Sequence, residues 1–251
     1  MEPLNILFTG ESWIKHVIHM KGFDQFHSTE YEEGAGVFLD HLTRAGHNVN
    51  YVRGHEISSQ FPKTAQEIDE YDVVVISDIG SNSFQLPDET FLRSEASPNR
   101  LGVVADYVRR GGGLVKVGGY LSFTGIDGKA RFGMSPLADV LPVTMLPYDD
   151  RIEIPEGCKV EVCQPEHPVL GATPSDWPPL LGYNRVIPRE DAEVVARSGD
   201  DPILVTGNFG NGRAVAFTSD LAPHWAPPEF VEWSSYALLW SSILSWASGR
   251  S

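Results

Sequence analysis

The sequence predicts an α/β fold in which a mostly parallel sheet is covered by helices on both faces. Short apolar runs alternate with amphipathic helical patterns through the first half of the chain. Alternation with short links predicts parallel strands joined by right-handed crossovers. One run, Val73–Ser77, is apolar at every position but the last. A strand of that kind needs cover on both faces, as the middle of a parallel sheet provides.

The predicted elements of the first half follow each other in strict alternation. Turn residues bound the strands, and the helices carry apolar residues at helical spacing. In chain order they are strand Leu4–Phe8, helix Tyr31–Ala45, strand Asn48–Val52, helix Thr64–Glu70, strand Val73–Ser77, helix Pro98–Arg110 and strand Leu114–Val117. The order βαβαβαβ predicts a flavodoxin-like three-layer sandwich.

The second half predicts a β-rich excursion followed by a hairpin and a closing helix. From about residue 126 to 202, glycine and proline are frequent and helical patterns are hard to find. Asn211-Gly212 between two apolar runs is a strong hairpin signal. The predicted elements are strands at Arg151–Ile154, Lys159–Cys163 and Glu193–Ala196, hairpin strands at Ile203–Phe209 and Arg213–Ser219, and a helix over Glu229–Ala247. We expect the excursion to belong to one domain spanning residues 1–251.

Composition and charge exclude several classes of function. The 251 residues include 19 Lys and Arg against 34 Asp and Glu, a net charge of −15. Nucleic acids and anionic membranes bind basic faces, so neither partner is expected. The only cysteines are Cys158 and Cys163, which argues against a disulfide-built fold and a thiolate zinc cluster. The first residues lack the pattern of a signal peptide and no apolar run could span a membrane, so a cytoplasmic protein is expected.

Polar residues follow four of the predicted strands. Ligands of open α/β sheets bind beyond the carboxyl ends of the strands. The residues at those places are Glu11, Asp78, Tyr120, Ser122, Asp220, His224 and Trp225. If the sheet is parallel, they converge on one rim, where we expect a small-molecule ligand.

The segment Gly118–Ser122 has the pattern of a nucleophile elbow, a strand-to-helix turn whose central residue is strained. Tyr120 takes the central position. A phenol is a poor acyl acceptor, but it can donate a proton or a hydrogen bond. The alternative is a plain tight turn in which Tyr120 packs.

His224 is the best single candidate for acid–base chemistry, because an imidazole titrates near neutral pH. Asp220, four residues earlier, could orient it. The alternative is that His224 and Trp225 only fill the loop before the closing helix. Asp78 could bind a ligand hydroxyl or a metal, or it could cap backbone amides in its own turn.

No cofactor is expected, and a divalent metal is left open. His16 and His19 would share a face on a helix, but no acidic residue completes a zinc signature. The glycine patterns fit neither the Walker loop nor the dinucleotide fingerprint. The run Asp149–Arg151 is either a solvated turn or an acid–guanidinium clamp at a pocket rim.

Segments spread over nearly the whole chain carry a family resemblance. They are Gly10–Trp13, Lys21–Asp24, Tyr71–Val74, Ser77–Gly80, Gly118–Phe123, Asp149–Arg151, His167–Leu170, Leu181–Asn184 and Ser219–Trp225. Together they resemble the "putative glutamine amidotransferase" family of cytoplasmic proteins. That family belongs to the class I glutamine amidotransferase-like superfamily, near the ThuA-like proteins. The resemblance implies the class I glutamine amidotransferase-like fold.

The residues at the expected catalytic positions differ from those that active members of the superfamily use. Its active members use a Cys-His-Glu triad, with the cysteine at the centre of the elbow. Here the elbow holds Tyr120, both cysteines lie in the β-rich excursion, and Ala226 stands two residues after His224 where the glutamate belongs. Without a thiolate at the elbow, we expect no glutaminase activity.

The resemblance also implies a sugar-like ligand, because ThuA-like relatives are associated with carbohydrate metabolism. The expected binding residues are Glu11, Asp78, Ser122, Asn184 and Trp225, and the expected catalytic residues are Tyr120, Asp220 and His224. His224 and Tyr120 would move a proton next to a carbonyl, as an isomerase or a lyase requires. The competing hypotheses are a non-catalytic binding or scaffold protein and an amidotransferase with an unusual nucleophile.

The closing helix predicts a homo-oligomer. Trp233, Tyr236, Trp240 and Trp246 supply more aromatic surface than one helix face needs, and part of it could form an interface. The alternative is that Trp246 covers the edge of the core.

Overall fold

An eight-stranded sheet lies at the centre of the computed structural model, which describes residues 2–250. The strands are β1 Asn5–Gly10, β2 Ser12–Lys21, β3 Asp24–Glu33, β4 Asn48–Val52, β5 Val73–Ser77, β6 Gly113–Val117, β7 Val143–Met145, β8 Arg151–Cys158, β9 Glu161–Val162, β10 Leu180–Asn184, β11 Val186–Pro188, β12 Glu193–Ser198, β13 Asp201–Phe209 and β14 Gly212–Phe217. The α-helices are α1 Gly36–Arg44, α2 Ile57–Gln60, α3 Ala65–Ile68, α4 Asn82–Gln85, α5 Asp88–Phe91, α6 Arg100–Arg110, α7 Pro228–Val231 and α8 Tyr236–Ala247.

The sheet is parallel where the first half of the chain builds it and antiparallel beyond. Strands β4, β1, β5, β6 and β14 are parallel neighbours in that order. Strands β13, β12 and β9 continue the sheet antiparallel. The predicted mostly parallel central sheet is confirmed.

Apolar layers cover both faces of the sheet, which gives the three-layer arrangement. On one face, Phe38 of α1 and Trp240 of α8 pack on Phe8 and Phe217. On the other face, Leu101 of α6 belongs to the cluster that covers the remaining strand residues. Strand β5 is fully buried at all five positions, as its apolar sequence predicts.

The β-rich span between residues 126 and 202 is built of short strands. It contains β7 to β12 and four 3-10 turns, and no α-helix. Strands β9 and β12 join the central sheet, whereas β8 pairs with β10 and β7 pairs with β11 beside it. The hairpin predicted around Asn211 is formed by β13 and β14.

The predicted helix Tyr31–Ala45 is wrong in its first turns. Strands β2 and β3 pair antiparallel along ten residues, from Ser12 opposite Glu33 to Lys21 opposite Asp24, and α1 begins only at Gly36. We name this hairpin of residues 12–33 the arm. His16 and His19, three residues apart on a strand, point to opposite faces and cannot act as a helical metal pair.

The predicted closing helix consists of two separate helices, and its aromatic side chains are part of the core. A turn after α7 precedes α8, so the helix over Glu229–Ala247 is not continuous. Tyr236 and Trp240 are fully buried, and Trp246 is 8% exposed. These side chains complete the core, so the helix has no exposed aromatic face for an interface. Trp246 covers the core edge, as the alternative predicted.

Replacing Trp240 with alanine should destabilise the protein strongly, because its ring fills the space between Phe38, Phe217 and Tyr236. Truncating a buried tryptophan costs about 3–5 kcal/mol of unfolding free energy. Urea denaturation measures the difference. The matched control is Phe91→Ala, since Phe91 is 70% exposed. A Trp240→Ala loss no larger than that of the control would contradict the packing described.

Candidate functional site

The carboxyl ends of β1, β5, β6 and β14 meet at one rim of the sheet. The Ser77 hydroxyl donates to Glu11 Oε1 at 2.5 Å, which joins the ends of β1 and β5. The Leu121 amide donates to Asp78 Oδ1 at 2.6 Å, and the Gly118 amide donates to the Ser219 carbonyl at 2.9 Å. The structure therefore brings together the four polar clusters that follow the strands.

Two acidic residues at the rim have a left-handed backbone, which non-glycine residues rarely adopt. Glu11 has a φ of 50° and Asp78 a φ of 34°. Such strain persists only where the surroundings hold it, and it is frequent at functional sites. Both residues are buried, and each is fixed by a hydrogen bond to a neighbouring strand end.

The turn after β6 is not a nucleophile elbow. The left-handed residue is Gly119, with a φ of 131°, and Tyr120 is not among the strained residues. No helix follows the strand, since the next regular segment is the 3-10 turn Ile126–Gly128. A Cβ on Gly119 would lie 2.6 Å from Asp78 Oδ1. The glycine therefore lets the turn close onto Asp78 instead of presenting Tyr120 as a nucleophile.

Glu11 and Asp220 form a buried carboxyl pair beneath the rim. Glu11 Oε2 and Asp220 Oδ2 are both buried and have no hydrogen-bond donor among the described residues. Burial, followed by the charges of Asp220 and Asp78, raises the pKa of Glu11 well above its usual range. Burial, followed by the charge of Asp78, likewise raises the pKa of Asp220. A proton on Glu11 that is donated to Asp220 would satisfy both unpaired oxygens.

Asp78 completes the acidic cluster. Burial raises the pKa of Asp78, while the Leu121 amide opposes that rise. Asp78 therefore holds the turn after β6 rather than capping its own turn.

His224 lies above the carboxyl pair. Its side chain is 49% exposed, and its Nδ1 lies 4.0 Å from Asp220 Oδ2. The imidazole stacks on Tyr120, with centroids 5.5 Å apart, and meets the edge of Trp13 at 5.7 Å. The loop after β14 therefore presents a half-exposed imidazole next to a buried carboxyl group.

Tyr120 borders the same surface. Burial and then the charge of Glu153 raise the pKa of Tyr120, so the phenol is neutral and can donate. The Arg151 guanidinium lies 4.7 Å from the centre of the Tyr120 ring and pairs with Asp149. Asp149 and Arg151 thus form an ion pair beside Tyr120. The solvated-turn interpretation is wrong for Asp150, which is 1% exposed and accepts from the amides of residues 124 and 125.

Three predicted binding residues point inward. Ser122 accepts from the buried Lys116 and donates to the Val117 carbonyl, both at 2.5 Å. Asn184 Oδ1 accepts a hydrogen bond from the Gly119 amide, and Asn184 Nδ2 donates one to Asp150 Oδ1. Trp225, 2% exposed, donates to Glu153 Oε2 at 2.9 Å. In this structure Ser122, Asn184 and Trp225 support the rim and do not face solvent.

Lys116, the fourth residue of β6, was not identified from the sequence. The side chain is fully buried, and this burial lowers the pKa of Lys116 to about 7. The nearby carboxyl groups act in the other direction and raise the pKa; they belong to Asp78, Glu11, Asp150 and Asp220. The signal was available, because a lysine inside a strand predicted to be covered on both faces must be buried. Buried lysines without full compensation often belong to functional regions.

A cavity of about 490 Å³ adjoins His224. The base of the arm, the start of α1 and the Pro223-His224 segment form its walls. Among its lining residues are Trp13, Lys15, Glu32, Gly34, Val37 and His224. The cavity therefore lies to the arm side of the turn after β6, whereas the sequence led us to expect a pocket at that turn; of the predicted site residues, His224 lines this cavity.

The two cysteines and the metal-ligand types lie elsewhere. Cys158 ends β8, and burial raises the pKa of its thiol. Cys163 is exposed beside β9, the outermost strand of the sheet. Across residues 2–250, no group of three or more His, Cys, Asp or Glu side chains is arranged to hold a metal ion. None of the helices in that range is long and apolar enough to cross a membrane.

Comparison with known proteins places the chain among close relatives. The sequence model of a family described as "Putative glutamine amidotransferase" matches residues 5–249. A cytoplasmic protein from Salmonella typhimurium is 46% identical, with a TM-score of 0.94 over 96% of this chain and 98% of that one. A second cytoplasmic protein, from Salmonella typhimurium LT2, is 47% identical, with a TM-score of 0.93 over 97% and 99%. No curated protein matches.

A more distant relative supports the fold alone. A ThuA-like protein from Bacteroides uniformis has a TM-score of 0.59 at 15% identity, over 97% of this chain and 90% of that one.

Substituting Lys116 with methionine should change how stability depends on pH. The folded-state pKa of Lys116 is about 7, below the ordinary lysine value, so the folded state binds fewer protons than the unfolded state above pH 7. The unfolding free energy of the native protein therefore rises with pH, and Lys116→Met removes about 2 kcal/mol of that rise between about pH 7 and 9.

Urea denaturation at several pH values measures this dependence. The control is Lys129→Met, because the Lys129 side chain is 63% exposed. Loss of the hydrogen bond to Ser122 shifts the Lys116→Met curve at every pH, but it does not change the slope. Parallel curves for the native protein and Lys116→Met would show that Lys116 is not desolvated.

Proposed function

Because the chain belongs to the family described as "Putative glutamine amidotransferase", we propose that it binds a small polar metabolite beside His224 and performs acid–base chemistry on it without a thiol nucleophile. The observation that carries this proposal is the half-exposed imidazole of His224, with Nδ1 4.0 Å from the buried Asp220 carboxyl group. A carboxyl group on one imidazole nitrogen orients the ring and leaves the other nitrogen for a ligand.

The buried pair defines how His224 works as a base. With one proton on Glu11, the two carboxyl groups carry a single negative charge, located mainly on Asp220. That charge stabilises the imidazolium formed when His224 Nε2 accepts a proton from the ligand. Because the pair is fully buried, water screens this interaction little.

Tyr120 supplies the complementary group. Its neutral phenol stacks on the imidazole and lies under the Arg151 guanidinium. A phenol of this kind donates a hydrogen bond, or a proton, to an oxygen on which negative charge develops. Proton removal by His224 and donation by Tyr120 together constitute the chemistry of an isomerase or a lyase next to a carbonyl.

A sugar derivative fits the composition of the cavity. The Trp13 ring offers a face of the kind that stacks on a sugar ring, while Lys15 and Glu32 bind hydroxyl or carboxylate groups. Lys15 and Glu32 already pair with each other, so a ligand would exchange one polar partner for another. A cytoplasmic location is part of the proposal, supported by the two Salmonella relatives described as cytoplasmic proteins.

Glutaminase chemistry has no support at this site. A covalent glutaminase needs an activated thiolate next to its histidine. Cys158 is buried with a raised thiol pKa, and Cys163 lies beside the outermost strand of the sheet. Tyr120, not a cysteine, stacks on His224.

A thermal-shift screen of the purified protein tests the proposal. The panel contains sugars, keto-sugars, sugar acids, glutamine and divalent metals. A ligand that binds the folded state raises the melting temperature by linkage. We expect a keto-sugar or sugar acid to raise it, and Trp13→Ala to abolish the shift. No shift with any compound would favour a scaffold protein, and a shift with glutamine alone would overturn the proposal.

Turnover of the compound found in the screen then tests the role of His224. His224→Gln should reduce the rate by about 10²–10⁴-fold, which is the usual contribution of a general acid or base. His41→Gln is the matched control, because His41 contacts Tyr236 and none of the proposed catalytic residues. Equal rates for the two variants would remove His224 from the mechanism, and binding without any turnover would leave a binding protein.

A further inference from the structure

We propose that the arm is the surface through which this chain binds a second copy of itself. Its two strands pair with each other along ten residues and with no other strand. At about 3.3 Å per residue the arm is roughly 33 Å long. An isolated two-stranded hairpin is only marginally stable in water, so a long exposed one is expected to have a partner. This inference does not depend on the proposed function.

The strand register gives the arm two different faces. We name one of them the Ile18 face. Its members are Ile14, His16, Ile18, Met20, Gln25, His27, Thr29 and Tyr31, and all of them are exposed. The opposite face carries the charged side chains Lys15, Lys21, Asp24, Glu30 and Glu32 and the exposed Phe26, together with partly covered Trp13, Val17, His19 and Ser28. The Ile18 face is therefore both more exposed and less charged.

The exposed apolar area of the arm is similar in size to one partner's share of a protein–protein interface. On the Ile18 face, Ile14 is 55%, Ile18 60%, Met20 73% and Tyr31 48% exposed, and Phe23 at the tip is fully exposed. At roughly 150–250 Å² for a whole aromatic side chain, these five expose on the order of 700 Å². A standard interface buries about 800 Å² on each partner, and monomers rarely expose contiguous apolar patches of this size.

Charge favours a second copy as the partner. Residues 16–29 contain one basic residue, Lys21, and one acidic residue, Asp24, which lie opposite each other in the register. The whole net charge of −15 therefore resides outside this segment. Contact between two arms would hold two negative bodies about 30 Å apart, whereas salt screens charges within about 8 Å at physiological ionic strength. The copies can thus associate without mutual repulsion.

A two-fold axis through the middle of the arm satisfies the geometry. Two Ile18 faces packed antiparallel form an isologous contact, in which each face is its own complement. The tip of each arm then lies at the base of the other. A cavity of about 480 Å³, lined in part by Ile14, Tyr31, Arg53 and His55, is open at that base. Phe23 at the tip is an apolar side chain suited to fill it.

Light scattering coupled to size exclusion tests the assembly. The native chain of 27.7 kDa should elute with at least twice that mass. Ile18→Thr with Met20→Thr keeps β propensity and should raise the dissociation constant by on the order of 100-fold. The control pair Phe91→Thr and Leu92→Thr removes apolar side chains of similar exposure elsewhere and should leave the mass unchanged. A monomeric native protein, or equal effects of both pairs, would overturn the proposal.

Engineered cysteines test which face is used. Thr29 lies on the Ile18 face and its neighbour Ser28 on the opposite one. In a Cys163→Ser background, Thr29→Cys should give a covalent dimer on mild oxidation, and Ser28→Cys should not. Crosslinking of both variants to the same extent, or of Ser28→Cys alone, would contradict the Ile18 face as the interface. A monomer that instead binds neutral lipid vesicles through the arm would replace the second copy with a membrane surface.

Discussion

The burial of the Glu11 and Asp220 carboxyl groups at one place is the constraint on which the rim of the sheet depends. Three carboxyl groups, those two and Asp78, converge where β1, β5 and β14 end, and all are at least nine-tenths buried. Burying an unpaired carboxylate costs several kcal/mol even after relaxation. A proton between Glu11 and Asp220 removes one charge from the cluster and satisfies two oxygens that otherwise have no donor.

The strained backbone and the half-exposed histidine both follow from that arrangement. Glu11 is buried and has a left-handed backbone, and it lies at the turn where the chain leaves β1 and enters the arm. Asp78, also left-handed, holds the turn after β6, so Tyr120 comes to lie beside His224. The site is thus a surface of aromatic and basic side chains held over a buried acidic cluster.

Much of the fold could be predicted from local patterns, and much of the site could not. Val73–Ser77 was predicted to the residue, because a buried parallel strand is recognised as an apolar run between turn signals. Asn48–Val52 was also predicted to the residue, although it is an edge strand of alternating polar and apolar residues. The arm was missed because its sequence mixes apolar, histidine and charged residues. As a result, neither the two-residue period of a strand nor the helical period of about 3.6 residues is evident. Ser122 and Trp225, both chosen because they follow predicted strands, were misplaced for another reason. Position after a strand brings a side chain to the rim, but it does not tell whether that side chain points outward or inward.

The most direct test of the central claim is the protonation state of Glu11. Carbon-13 NMR of the protein with labelled glutamate carboxyl groups follows each carboxyl through a pH titration, and Glu11→Gln assigns its resonance. A proton held between Glu11 and Asp220 should keep the Glu11 carboxyl at the chemical shift of a protonated acid at about pH 7, where ordinary glutamates are ionised. A Glu11 resonance that titrates together with the exposed glutamates would contradict the shared proton, and with it the basis of the proposed site.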